Sequence, residues 1–200
     1  MTARGGEIVA DGREEGALVL ATGWQGLAAL SAELGQAVGT GIKGQSALFR
    51  AEARDLPQIF AEALHIVPHA DGTVAVGSTT ESEFDDPRAC DEGCEALIAA
   101  ARRLCPALAT APVIDRWAGL RPRARSRAPM LGAHPARPGV WIANGGFKIG
   151  FGMAPNVAKV MADLVLEGRD AIPPGFRVAD NLRAQGGHQP QAPDPAADPS

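Results

Sequence analysis

Apolar positions recur with two periods along this chain, and the period predicts the element. Residues 7–10 and 17–21 read as short strands around a polar turn at 11–16. The second, Ala17-Leu18-Val19-Leu20-Ala21, is apolar on both faces, the pattern of a strand inside a covered parallel sheet. From Trp24 to about Ala37 the spacing becomes helical, with Leu27, Leu30 and Leu34 on one side. Strand character returns at 46–51, 64–67 and 73–76, the last two joined through Asp71-Gly72, a strong hairpin signal. Asp91 is placed to cap a helix running to about Leu104, with Leu97, Ile98, Ala101 and Leu104 on one face and Pro106 ending it. Residues 113–120 and 139–143 again read as strands. The last helix is expected over 155–167, with Pro155 in its first turn and Gly168 as its C-terminal cap. This order of strands and helices predicts a mixed α/β architecture, without internal repeats. Residues 184–200 have almost nothing to bury and are expected to form a disordered tail.

Composition narrows the class. The 200 residues are 46% hydrophobic and 21% charged, the balance of a globular protein with a real core. A net charge of -4 gives no reason to expect nucleic acid as a partner. Three cysteines, Cys90, Cys94 and Cys105, are too few and odd in number for a disulfide framework, so a reducing cytoplasm is the expected setting. The longest apolar run near the start, residues 17–21, is far short of the roughly 20 residues a spanning helix needs, and no membrane segment is expected. The opening residues also lack the layout of a signal peptide.

Three stretches carry candidate chemistry. Val19-Leu20-Ala21-Thr22-Gly23 is an apolar strand ending in a small residue, a hydroxyl and a glycine, which lets backbone approach a ligand closely; an ordinary strand exit would read the same way. In Trp117-Ala118-Gly119-Leu120-Arg121-Pro122 the arginine stands between a strand and a proline. Its planar fork suits bidentate capture of a carboxylate, the alternative being a structural ion pair with an acid such as Asp115. Gly145 to Pro155 is a glycine-rich run ahead of the last helix. Unpaired N–H groups and a positive dipole end there suit an anionic or electron-accepting ring edge; a plain connector is the alternative.

Taken in order, these stretches resemble the C-terminal half of the D-amino-acid oxidase, glycine oxidase and sarcosine oxidase superfamily of FAD-dependent oxidoreductases. The resemblance runs from about Val19 to Gly168. It includes Ala21-Thr22-Gly23, Lys43-Gly44-Gln45, Ile66-Val67-Pro68 with Asp71-Gly72, Val76-Gly77-Ser78-Thr79, the WAGLRP stretch, Pro129-Met130-Leu131-Gly132 and the glycine-rich run with Ala154-Pro155.

The resemblance implies an α/β fold: the C-terminal part of a FAD-binding domain joined to a mixed, mostly antiparallel substrate-domain sheet. The implied division is residual flavin-domain strands and helix at 1–42, substrate-domain sheet and helix at 43–120, and a return to the flavin domain at 121–183. Thr22 and Gly23 would lie near the FAD pyrophosphate, and Lys43 and Gln45 near the domain boundary. Arg121 would bind the substrate carboxylate, as the catalytic and substrate-binding arginine. Gly145, Gly146, Phe147, Lys148, Ile149, Gly150 and Met153 would pass the pyrimidine edge of the flavin, where amides and the helix dipole stabilise negative charge. The implied reaction removes a hydride from the CH–NH bond of a small amino acid or amine. The resulting imine is hydrolysed by water, and oxygen reoxidises the flavin with release of peroxide.

Several positions depart from the family pattern. His65 stands where glycine-oxidase-like members carry a tyrosine, and this chain has no tyrosine; His65 serves either as a substitute donor or as a packed strand histidine. Gly146 replaces the usual histidine. Lys148 stands where an arginine often sits, to serve the flavin or a substrate carboxylate. Ala124-Arg125-Ser126-Arg127 replaces the usual Thr-Pro-Asp-Gly, as a solvated turn or a sign of an acidic substrate. The Gly-x-Gly-x-x-Gly fingerprint for the ADP moiety does not occur, so a gene fragment, a truncated gene model or one half of a split enzyme is expected. Partners would then include the missing N-terminal half or a second copy, and residues 17–21 would show bare edges. No metal is expected: Cys90 and Cys94 are close enough to chelate but lack further ligands, and residues 81–86 read as an acidic surface loop rather than a calcium site. No serine elbow supports hydrolase chemistry. The rival to an enzyme is an inert flavoprotein remnant acting as an interaction module.

Overall fold

The computed structural model of the chain describes residues 6–9 and 16–183. Twelve longer elements follow in the order β1 (Leu18–Leu20), α1 (Gly23–Leu34), β2 (Gly39–Arg50), β3 (Ile59–Ala61), β4 (Leu64–Pro68), β5 (Thr73–Gly77), α2 (Glu92–Leu104), β6 (Val113–Ala124), β7 (Met130–Ala133), β8 (Val140–Asn144), α3 (Gly150–Glu167) and α4 (Val178–Arg183). Short 3-10 turns at Pro106–Leu108 and Phe147–Ile149 complete them. The α/β expectation holds.

The strands form two sheets. One has five strands in the order β3-β4-β5-β2-β6, antiparallel throughout. The other has three in the order β1-β8-β7, with β1 parallel to β8 and β7 antiparallel to it. Helix α2 covers the larger sheet, where Phe49, Ile66, Val74 and Val76 pack against Cys94, Leu97, Ile98 and Ala101. Its amphipathic pattern put those residues on one face, and the Asp91 side chain accepts from the Gly93 N–H as the expected cap. Leu27 and Leu30 of α1 pack with Val38, Ala124, Met130 and Ile142, which joins the two sheets. A third cluster places Met161 of α3 against Leu131 and Ile172.

The structure corrects five expectations. Residues 7–9 are not in a strand, and residue 10 lies outside the described residues, as do 11–15 of the polar turn and the expected tail at 184–200. β1 is paired on one side only among the described residues, and Val19 is 41% exposed, so this strand is not covered on both faces. β2 starts at Gly39, because its glycines let β6 and α1 approach: a Cβ on Gly39 would stand 2.6 Å from the Arg123 carbonyl and 2.9 Å from Leu27. β6 continues through Pro122 to Ala124, since it is an edge strand and a missing N–H is tolerated there. α3 begins at Gly150, which leaves Pro155 inside the helix rather than in its first turn.

One further point concerns membranes. Phe147–Glu167 has the length and the hydropathy, 1.3, of a spanning segment, which a search for apolar runs near the start overlooks. One side of α3 packs on β7 and β8 through Val157, Val160, Met161 and Leu164, while Phe151 and Leu166 are exposed.

Candidate functional site

Two neighbouring cavities divide the candidate residues between them. The larger, about 440 Å³, lies among the ends of β1 and β8, the turn before α3 and the first turns of α3. Ala21, Gly23, Asn144, Gly145, Gly146, Phe147, Gly150 and Met153 line it, along with Pro122, Pro129, Leu131 and Val157. The smaller, about 270 Å³, is lined by Phe60, Ala63, His65, Ser78, Arg121 and Lys148. Arg121 and Pro122 are chain neighbours, as are Phe147 and Lys148, so one strand and one turn wall both spaces.

The strand end and the glycine-rich turn meet through Asn144. Its side-chain amide donates to the Gly23 carbonyl at 2.9 Å, and its Oδ1 accepts from the Gly145 N–H at 2.7 Å. The glycines of the turn serve different ends. Gly145 holds φ +79°, and a Cβ there would stand 2.6 Å from the Ala124 methyl; a Cβ on Gly146 would stand 2.7 Å from Gly150. Both therefore allow the chain to approach itself. Gly150 has no atom within 4 Å of where its Cβ would be, and Gly23 only the Gln25 side chain at 3.8 Å, so these two keep space open at the cavity. Phe147 holds φ +47°, a left-handed conformation that costs a non-glycine residue roughly 1 kcal/mol or more. Its ring lies 5.9 Å from the Arg123 guanidinium and 5.8 Å from the Lys148 ammonium, within cation–π range. No side chain caps α3; the 3-10 turn Phe147–Ile149 runs directly into it, with the Ile149 N–H donating to the Gly146 carbonyl at 3.1 Å.

Arg121 is mounted by its neighbours rather than by an acid. Nη1 donates to the Thr79 carbonyl at 3.3 Å and Nη2 to the Ser78 hydroxyl. Among the described residues no carboxylate lies within ion-pair distance, so the pairing with Asp115 does not occur; Asp115 instead accepts from the Arg116 N–H. Burial pulls the guanidinium below its ordinary value and the charge of Glu81 opposes this; an arginine stays cationic regardless. The space for the fork comes from Gly44. A Cβ on that residue would stand 2.0 Å, 2.1 Å and 2.3 Å from Nη1, Nη2 and Cζ of Arg121.

The loop that holds Arg121 is itself held by the Lys-Gly-Gln segment. Lys43 and Gln45 are buried within β2. The Lys43 ammonium pairs with Asp91 at 2.8 Å and Glu81 at 3.6 Å. Gln45 donates to Asp91 at 2.6 Å and to Glu81 at 3.0 Å, and its Oε1 accepts from the Asp91 N–H at 2.9 Å. The Thr79 hydroxyl accepts from the Gln45 N–H at 2.8 Å and donates to Glu81. Hydrogen bonds from Gln45 and then Lys43, with the Gly93 N–H, hold the Asp91 carboxyl down at about 2. The bond to Asp91 raises Lys43 above its ordinary value in spite of burial. Lys43 and Gln45 thus brace the Ser78–Thr79 backbone through Glu81 and Asp91, a role the motif alone does not disclose.

His65 pairs across β3 and β4 with Phe60, the two rings 4.4 Å apart, and the Gln58 amide donates to its Nδ1 at 3.0 Å. His65 is exposed at the rim of the smaller cavity. Among the remaining candidates, Thr22 lines a separate groove with Gln25, Glu33 and Arg137, its side chain lying where a Cβ on Gly26 would stand. Ile149 lines neither cavity. Arg125 is half-buried and bonds to the Asn181 carbonyl of α4, while Arg127 sits exposed at φ +64° in the turn. Sequence reasoning missed Ser78, Phe60, Ala63 and Asn144 as site residues. Ser78 lay within a quoted motif, but Phe60 and Ala63 reach the cavity through a tight turn in which Glu62 and Ala63 both hold positive φ, without the glycine that marks such turns.

Comparison with known proteins agrees with this arrangement. Residues 2–164 match the family model described as FAD dependent oxidoreductase. The glycine oxidase of Pseudomonas aeruginosa is 36% identical over 132 residues, 66% of this chain and 36% of that protein. The crystal structure of glycine oxidase from Geobacillus kaustophilus superposes with a TM-score of 0.69 at 30% identity, covering 81% of this chain and 45% of the other. That of iminodiacetate oxidase from Chelativorans sp. BNC1 gives 0.71 at 26% identity, covering 82% and 46%. The chain spans less than half the length of these relatives.

Proposed function

We propose a function from one premise: the chain belongs to the FAD-dependent oxidoreductase family. It serves as the part of such an enzyme that binds the substrate and one side of the flavin, acting on the CH–NH bond of a small amino acid or amine. The observation that carries this reading is the gathering of Arg121, His65 and Lys148 around one small cavity beside a larger apolar one.

The residues fit a flavin ring. A largely apolar space of about 440 Å³, kept open at Gly23 and Gly150 and flanked by uncapped helix amides, suits a flat aromatic system with an anionic edge. Gly145, Gly146, Phe147, Gly150 and Met153 would hold it, with Ala21 and Gly23 opposite. The redox chemistry is what bound FAD would supply: acceptance of a hydride from the substrate carbon and its delivery to oxygen as peroxide. The chain's own part is orientation. Arg121 presents a fixed fork to the substrate carboxylate, with His65, Phe60 and Ala63 lining the space beside it.

Flavin retention is the test. The purified chain, mixed with FAD and desalted, should keep a yellow chromophore whose spectrum changes on anaerobic addition of an amino acid. A chain that remains colourless at saturating FAD would remove the autonomous enzyme. A second reading, a subunit that docks on another polypeptide, is favoured by the outer edge of β1, unpaired among the described residues, and the exposed Phe151 of α3. It predicts flavin binding only when that partner is supplied.

A further inference from the structure

We propose that the smaller cavity selects amino acids carrying two anionic groups, one held by Arg121 and the other by Lys148. This rests on the reading of that cavity as the substrate site, and narrows its substrate class. Its charged lining consists of these two cations, and none of the lining residues is an acid. Lys148 stands apart from the other two lysines of the chain. Lys43 pairs with Asp91 and Glu81, and Lys159 with Asp163, whereas among the described residues Lys148 faces the ring of Phe147 and no acid. The bonds Arg121 makes go to neutral oxygens, which leaves most of the five N–H donors of its guanidinium for a ligand, with Glu81 acting on its charge without a direct ion pair. The acid adjacent to the cavity in sequence, Glu62, is engaged by Arg103 instead.

The position of Lys148 sharpens the point. It lies in the turn that leads into α3, at the positive end of an 18-residue helix with no acidic residue in its first turn. A cation there is opposed by the helix dipole, and an anion beside it would relieve the opposition. A substrate with a single carboxylate, bound to Arg121, leaves that second positive field unmatched. A compact amino acid with a second carboxylate or an equivalent anion matches both, and a space of about 270 Å³ restricts the candidates to small ones.

The test is calorimetric titration of the purified full chain with glycine and with iminodiacetate, at one pH and ionic strength. The dianion should bind about tenfold tighter, the worth of one further charge-assisted hydrogen bond. In Lys148→Gln the two ligands should come within about twofold of each other, and Lys148→Arg should preserve the preference. Arg121→Gln should weaken both ligands. Glycine binding without a preference for the dianion, or a preference that survives in Lys148→Gln, overturns the inference and leaves the substrate-site reading standing. Absence of binding by either ligand overturns both. Loss of FAD affinity in Lys148→Gln with the ligand preference intact would assign Lys148 to the cofactor and likewise end the proposal.

Discussion

Replacing Gly44 by alanine adds one methyl group to the interior of β2, at a spot now filled by the Arg121 guanidinium. The new Cβ would stand 2.0 Å from Nη1 and 2.3 Å from Cζ, whereas nonbonded heavy atoms settle near ~3.5–4.0 Å. The guanidinium is the far end of a flexible side chain, so it yields, moving by about 1.5 Å and leaving Ser78 and the Thr79 carbonyl. A displacement on the order of 1 Å at a positioning group costs up to ~100-fold. Carboxylate ligands should therefore bind about 10- to 100-fold more weakly. The fold should not suffer: Gly44 is not in the left-handed region, and alanine in a strand interior regains about 0.5–1 kcal/mol of backbone entropy. The assay is calorimetric titration with glycine alongside thermal unfolding followed by circular dichroism. In an Arg121→Gln background, the same substitution should change affinity no further, since the displaced group is gone. Unchanged glycine affinity in Gly44→Ala, at an unchanged Tm, would refute the claim that this glycine seats the fork.

Three further outcomes follow from the same geometry. Lys43→Met leaves Asp91 and Glu81 without their shared cation, so Tm and glycine affinity should fall together; a fall in Tm alone would separate the buried network from Arg121. Asp91 titrates near 2 in the folded chain against 3.8 ordinarily, so its stabilisation is fully present above about pH 4 and drains away as the pH falls toward 2. Urea midpoints measured from pH 6 to pH 2 should show a shallower acid limb in Asp91→Asn, though not a flat one, because Asp71, Asp163 and Asp170 are also held low. Gly145→Ala should destabilise by about 1–3 kcal/mol through its positive φ and the Ala124 clash, whereas Gly150→Ala, with open space at its Cβ, should gain about 0.5–1 kcal/mol; equal effects in urea denaturation would contradict the different uses assigned to the two glycines.

What the sequence made legible was local. Helix α2 announced itself through the Asp91 cap and a clean apolar stripe, and the β4–β5 hairpin through Asp71-Gly72, because in both the deciding interactions lie within a few residues. The misjudged boundaries all depended on distant partners. Gly39, Thr40 and Gly41 look unlike a strand until β6 lies alongside them, and Pro122 looks like a strand's end until β6 is known to be the edge of its sheet. The same holds at the site. Arg121 could be singled out from its own motif, but the loop that mounts it comes from Ser78 and Thr79, and the room for it from Gly44, positions separated along the chain and related only by register. Phe60 and Ala63 carried no signal, since nothing in Glu62-Ala63 marks a turn with positive φ.

The parallel pairing of Leu18–Leu20 with the strand that begins at Val140 sets an order of assembly on the ribosome. The β3–β4 and β4–β5 hairpins of the larger sheet close over short loops as each second strand emerges, whereas β6 pairs with β2 across a long connection and seats Arg121 once it is made. The pairing of β1 with β8, and the bridge from Asn144 to Gly23, form only after residue 144 has been synthesised. Nascent chains stalled before β8 would therefore hold a built arginine mount while the larger cavity, walled in part by Ala143 and Asn144, is still incomplete.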